Sequence, residues 1–400
     1  MRLIERGFYL NRLKDVLGTP DIKVITGVRR CGKSKLLESF IDYVRKTYPE
    51  ANVIHINFNL NVYEGLLEYR ALNEYIERAY DPERKNFVFI DEVQMCSGFE
   101  KAVNSLHASE KYDIYITGSN AFLLSSDLAT LFTGRTFEIE VYPFSFAEYM
   151  SYFELTDRYA ALNRYLQEGG MAGSYLYNTP ESKYDYISAV FDTLIVRDIR
   201  QKYKIRNMLL MNRLTDFLID NISNLTSIRG IAAALNRDQV KTNDRTVNAY
   251  IGYLRNAFAF YQVRRYDVQG KRYLASNDKY YLSDHSFKYA KLGTKNADYG
   301  RMIENIVAVE LLRRGYELYA GIRYKKEIGF VAIRRNAKLY IQVAGSIDDP
   351  NTFRRELAPL LSVRDAYPKI ILVRTRQEEY QYEGIRIKDV ADWLLEEDPQ

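Results

Sequence analysis

One stretch, GVRRCGKS at residues 27–34, limits the folds open to this chain more than any other. It follows DIKVIT (21–26), a short β-branched run that reads as a strand. It opens KSKLLESFIDYVRKTY (33–48), where Leu36, Leu37, Phe40, Ile41 and Val44 recur at helical spacing. Gly27 and Gly32 let the backbone curl so that successive N–H groups point inward, and the helix N-terminus adds partial positive charge. Strand, glycine loop and helix in this order form a cradle for phosphate, the context that the pattern G-x-x-x-x-G-K-[ST] requires. Lys33 places a point charge between β- and γ-phosphates, and the Ser34 hydroxyl is a Mg²⁺ ligand. Gly27, Val28, Arg29, Arg30, Cys31, Gly32, Lys33, Ser34 and Lys35 are the expected nucleotide contacts. The side chains of Arg29 and Arg30 are expected to point outward, into structural or interface roles.

The chain on either side supports this. NVIHINF (52–58), NFVFI (86–90) and YDIYIT (112–117) read as strands, separated by helical stretches that include LNEYIERAY (72–80). Apolar strands alternating with helices imply a parallel sheet covered on both faces, with ligands beyond the carboxyl ends of its strands. The polar clusters GVRRCGKS, DE and GSN all lie at such ends. Asp91 is expected to hold Mg²⁺ and Glu92 to orient or deprotonate the attacking water, which points to turnover rather than passive binding. Ser119 or Asn120, on a strand expected beside the first, is in place to sense the γ-phosphate. Arg135, in FTGRTF, is a candidate to stabilise transition-state charge, in cis or from a neighbouring subunit of a homo-oligomer.

Four hundred residues exceed what one core supports, so two to four domains are expected. Two cysteines exclude a disulfide framework, and three histidines exclude a His-rich metal centre. No run approaches 18 apolar residues, so no membrane span is expected and the chain reads as cytoplasmic. Its charge is uneven. Residues 201–290 hold 15 Lys+Arg against 7 Asp+Glu, an excess of +8 that leaves −3 for the rest of a chain of net charge +5. Such a segment suggests a polyanion partner.

The segments VITGVRRCGKSKLL, FVFIDEVQ, IYITGSNAFLLSSDLATLFTGR and PFSFAEY resemble the prokaryotic AAA+-type ATPases. More narrowly, they resemble a bacterial and archaeal family with this module at the N-terminus and a conserved domain of unknown function at the C-terminus. EGGMAGSYLY and VRDIRQKYKI resemble that family's middle, and RMIENIVAVELLRRGYELYAG with KEIGFVA its end. The resemblance implies ATP as the nucleotide and hydrolysis as the activity. The expected architecture is α/β: a P-loop NTPase parallel sheet over 1–150, a helical lid over 151–204, a winged helix over 205–290 and a mixed α/β domain over 295–400.

Within the basic segment, SIRGIAAALN (227–236) reads as a helix, and a second starts near Thr242 or Asn243, either of which is a suitable cap. The second helix places Val247, Tyr250, Ile251 and Leu254 on one face and Arg245, Asn248 and Arg255 on the other. A hairpin turning at Gly270 follows, with Arg264, Arg265, Lys271 and Arg272 on or near it. This is a DNA-binding layout, and also one that docks proteins. At the C-terminus, KEIGFVAIRRNAKLYIQVAGS (326–346) resembles the restriction-endonuclease-like core. Gly329 stands where that core needs an acid, and Gln342-Val343-Ala344 where it needs acid-x-Lys, with Glu304 the one matching acid. Glu327 shares the strand face with Gly329 about 7 Å away. Two carboxylates and a lysine are needed to hold metal and activate water, so an inactive docking domain is expected. Two functions remain open: an ATPase acting on or near DNA, and a nucleotide-gated switch with a protein client.

Overall fold

The computed structural model describes residues 4–118, 132, 134–270, 272–293, 298–324 and 326–396, with side chains at all of these except 196, 197 and 272–276. They form two compact units. One comprises Met1–Tyr142, Val196–Lys204 and Asn256–Phe258; the other comprises Pro143–Ile195, Ile205–Arg255 and Ala259–Gln400.

In the first unit, helix α1 (Gly7–Asp15) precedes a sheet of β1 (Ile22–Thr26), β2 (Asn52–Asn57), β3 (Asn86–Asp91), β4 (Tyr112–Thr117) and β5 (Thr136–Glu140). The order is β2-β3-β4-β1-β5 and every pairing is parallel. Every residue of β1 and β3 is buried, as a sheet covered on both faces requires. Helix α2 (Lys33–Thr47) covers one face, setting the Phe40 ring 5.1 Å from Tyr115 and 6.2 Å from Phe89. Each large apolar side chain buried this way contributes about 1.5–3 kcal/mol. Helices α3 (Tyr69–Arg78) and α4 (Phe99–Ala108) cover the other face, packing Leu72, Ile76, Val103 and Leu106 on Ile54, Ile56, Val88 and Ile90. The buried Lys23 in β1 is tolerated because Asp113 pairs with it at 2.6 Å.

The second unit contains α5 (Phe146–Phe153), α6 (Arg158–Glu168), α7 (Pro180–Thr193), α8 (Met208–Asp220), α9 (Ile228–Arg237) and α10 (Asp244–Asn256). Two strands follow, β6 (Phe260–Asp267) and β7 (Arg272–Leu282), then α11 (Ser286–Leu292) and α12 (Tyr299–Arg313). The rest is β8 (Glu317–Arg323), β9 (Lys326–Arg334), β10 (Ala337–Ala344), α13 (Pro350–Ser362), β11 (Lys369–Val373), β12 (Tyr380–Tyr382), β13 (Ile385–Asp389) and α14 (Val390–Leu395). Their eight strands form one sheet ordered β12-β13-β11-β10-β9-β8-β6-β7.

Over residues 151–204, α5, α6 and α7 belong to the unit with the eight-stranded sheet, and Val196–Lys204 belongs to the other. The hairpin at Gly270 is joined to the C-terminal part through the sheet. Arg264–Asp267 of β6 pair in parallel with Tyr319–Ile322 of β8. An open strand edge carries unpaired N–H and C=O groups, and here a later segment satisfies them.

Candidate functional site

The glycine loop leaves the carboxyl end of β1. Gly27 has φ 137°, and a Cβ there would lie 2.1 Å from the Val141 carbonyl oxygen, so no other residue fits. Arg30 (φ 65°) and Gly32 (φ 101°) complete the curl through left-handed backbone. The Lys33 ammonium, 5% exposed, closes the loop by donating to the carbonyls of Gly27 at 3.0 Å and Val28 at 3.2 Å.

Asp91 ends β3 and is 1% exposed. Burial raises its carboxyl above the ordinary value, while hydrogen bonds from Thr117 and Ser34 and the charge of Lys33 pull it down. Loop helix and acidic strand therefore meet at Ser34 and Asp91. Thr117, at the tip of the intervening strand β4, donates to the Asp91 carboxylate and accepts the Glu92 N–H at 3.2 Å. Glu92 sits in left-handed backbone (φ 56°), a conformation that costs a non-glycine residue roughly 1–2 kcal/mol. The Gln94 amide donates to its carboxylate.

The other expected contacts divide. Val28 and Cys31 are buried, so only their backbones are available to a ligand. Lys35 is exposed and pairs with Glu38 at 2.5 Å, which gives its side chain to the helix surface. The Arg29 guanidinium points to Asp198 at 3.2 Å, and Arg30 is exposed. Ser119 and Asn120 lie outside the described residues. Thr117 was missed, although it is the one polar position in the inner half of YDIYIT.

Arg135 requires correction as a cis group. It precedes β5, whose Thr136 pairs with Ile22 at the start of β1, and its carbonyl accepts the Ile22 N–H. The loop leaves the other end, opposite Glu140. Five residues at ~3.3 Å each separate the two ends by about 17 Å.

In the basic segment, Asn243 caps α10 by accepting the Thr246 N–H at 2.9 Å. The Asn236 amide ties the preceding turn through the N–H and C=O of Thr242, both at 3.0 Å. Val247, Ile251 and Leu254 are buried, while Arg245, Asn248 and Arg255 are exposed. Tyr250, expected in the core, is only half-buried, its ring 5.8 Å from that of Tyr253. Thr226, just ahead of α9, forms an antiparallel bridge with Asp278 of β7. Arg264 is exposed and Arg265 half-buried. Lys271 and the side chain of Arg272 lie outside the described residues.

Near the C-terminus Glu304 is occupied. It accepts from the buried Lys279 at 2.8 Å and from the Tyr281 hydroxyl at 2.7 Å, and Lys279 also pairs with Glu327 at 2.6 Å. Gln342 accepts the Gly329 N–H at 2.9 Å and donates to Glu356 at 2.6 Å. Among the described residues no group of three or more His, Cys, Asp or Glu side chains is placed to hold a metal ion, and no helix is long and apolar enough to cross a membrane.

Residues 19–150 match a family described as an AAA domain, and residues 159–298 a domain of unknown function, DUF8612. An uncharacterized protein of Haemophilus influenzae is 36% identical over 402 residues, spanning 98% of this chain and 99% of that protein. The uncharacterized protein MJ1544 of Methanocaldococcus jannaschii is 28% identical over 410 residues, 98% of this chain and 90% of the other. The Walker-type ATPase PABY2304 of Pyrococcus abyssi superimposes with a TM-score of 0.51 at 16% identity, over 72% of this chain and 95% of that one, a likeness of fold.

Proposed function

Because the chain belongs to the family that includes the Haemophilus influenzae protein, and carries an AAA domain over residues 19–150, we propose that it is a Mg²⁺-dependent ATPase acting on or near DNA. The observation that carries the reading is the meeting of the Lys33–Ser34 helix start with Asp91 at the carboxyl ends of β1 and β3.

An oxygen-only donor set built from a hydroxyl and a buried carboxylate suits Mg²⁺. Ser34 and Asp91 would hold the ion, which would supply positive charge to neutralise the phosphates. The curled backbone from Gly27 to Ser34 binds phosphate oxygens. Lys33 exchanges its two carbonyl partners for the β- and γ-phosphates, a gain because an ammonium bonds more strongly to an anion than to a neutral carbonyl. Glu92, held by Gln94 and by the Thr117 contact to its N–H, takes the proton of the attacking water. Burial of Lys33, Asp91 and Thr117 keeps bulk water from screening these charges.

The winged-helix reading of 205–290 is supported by the Thr226–Asp278 bridge, the pinned α9–α10 turn and the exposed Arg245, Asn248, Arg255 and Arg264. These residues would meet phosphate and base edges of a duplex. The C-terminal part is a docking module in this reading, since Lys279 neutralises the Glu304–Glu327 pair that a nuclease would spend on metal. ATP turnover measured with and without duplex DNA tests the whole. Turnover unaffected by any DNA, with no complex at low salt, would replace DNA by a protein client.

A further inference from the structure

Arg6 lies outside the nucleotide motif and ahead of β1, yet it is 5% exposed and both ends of its guanidinium are engaged, one of them at the phosphate loop. Nη1 donates to the Cys31 carbonyl at 2.9 Å, and Nη2 to the Tyr142 carbonyl at 2.9 Å. Its carbon lies 4.5 Å from the centre of the Tyr9 ring, and the Tyr9 hydroxyl accepts the Tyr142 N–H at 3.1 Å. The Arg6 carbonyl starts α1 by accepting the N–H groups of Tyr9 and Leu10, both at 3.0 Å. The guanidinium is therefore fixed before any ligand arrives.

The bond to Cys31 has a directional consequence. In a trans peptide the C=O and the following N–H point in opposite directions within one rigid plane. Holding the Cys31 carbonyl toward Arg6 thus aims the Gly32 N–H away from it. Gly32, with φ 101°, has no steric barrier against rotating that plane, so an outside constraint is needed. A charged donor on the carbonyl also polarises the same amide and strengthens its N–H as a donor.

We infer that Arg6 is a positioning residue of the phosphate site, which orients and polarises the Cys31–Gly32 peptide so that the Gly32 N–H is presented to the terminal phosphates of a bound nucleotide. The inference rests on the reading of residues 27–34 as a phosphate cradle. It predicts a defect that grows with the number of phosphates, unlike general loosening of the fold. An amide aimed at the terminal phosphates does nothing for a monophosphate.

The test is displacement of a fluorescent ADP by unlabelled ADP and by AMP, for wild type, Arg6→Met and Arg6→Lys. In Arg6→Met the affinity for ADP falls at least tenfold while that for AMP stays within twofold. Arg6→Lys, which keeps the charge but only one reach, falls between and covers the case in which Arg6→Met does not fold. Equal losses for ADP and AMP, or none for either, in whichever variant folds would overturn the inference. A wild-type protein that binds neither nucleotide would instead overturn the ATPase reading beneath it.

Discussion

Thr117, at the tip of β4, donates its hydroxyl to the carboxylate of Asp91, at the tip of the neighbouring strand β3. Burial raises the Asp91 carboxyl and this bond lowers it. Thr117→Val removes a bond that favours the ionised form, so the acid limb of the turnover profile moves to higher pH. Full-range pH–rate curves for the two proteins check it. Asp91→Asn extends the argument. A raised carboxyl binds its proton more tightly folded than unfolded, so stability is lost as pH rises from the ordinary value of 3.8 through the raised one. The uncharged variant escapes that loss. It melts higher than wild type at pH 7 without nucleotide, yet does not turn ATP over.

Lys33 and Glu92 separate binding from chemistry. Lys33→Ala removes the charge between the phosphates and abolishes nucleotide binding in a fluorescence titration. Glu92→Gln keeps the binding but slows turnover by about 10²-fold or more, the usual scale for losing a general base. Normal turnover in Glu92→Gln would remove this glutamate from the mechanism.

Gly27→Ala is expected to destroy the loop. Its methyl would stand 2.1 Å from the Val141 oxygen, in backbone that alanine rarely adopts. Gly65→Ala, where nothing lies within 4 Å of the added carbon, is the control. ATP binding is lost in the first and retained in the second.

Asp198 is nearly buried beside Arg29, whose side chain is about one-fifth exposed. Asp198→Ala leaves a guanidinium that can still turn partly to water, so the cost is below that of a fully buried pair, about 1–3 kcal/mol. A lower melting temperature, relieved in the double variant Arg29→Met with Asp198→Ala, checks the assignment.

Arg245 and Arg264 are exposed in the basic segment. Binding to duplex DNA weakens as salt rises, and each arginine that meets a phosphate contributes nearly one unit to the log–log slope. Single alanine variants flatten it by about that unit. A slope unchanged in both variants would exclude them from the interface.

Where a feature was local, it could be read in advance. β4 occupies 112–117 as its apolar run implied, and α2 begins at Lys33 behind the glycine. Asn243 rather than Thr242 caps α10, a choice between neighbours that only the formed turn decides. Features made by distant partners could not be read. Lys23 is buried because Asp113 lies beside it, and Arg29 is committed because Asp198 comes back to it. Arg135 looked adjacent to a phosphate only because strand direction, which puts it at the far end of β5, is absent from a motif. Tyr250 has core spacing but is only half-buried, its ring 5.8 Å from that of Tyr253.

The shared sheet has a practical corollary. A fragment cut after Gly293 would keep the hairpin but strip Arg264–Asp267 of Tyr319–Ile322, leaving a row of main-chain donors and acceptors bare. Another copy of the fragment offers the same row, so such a truncation should clump through mutual strand addition instead of yielding a small soluble DNA reader.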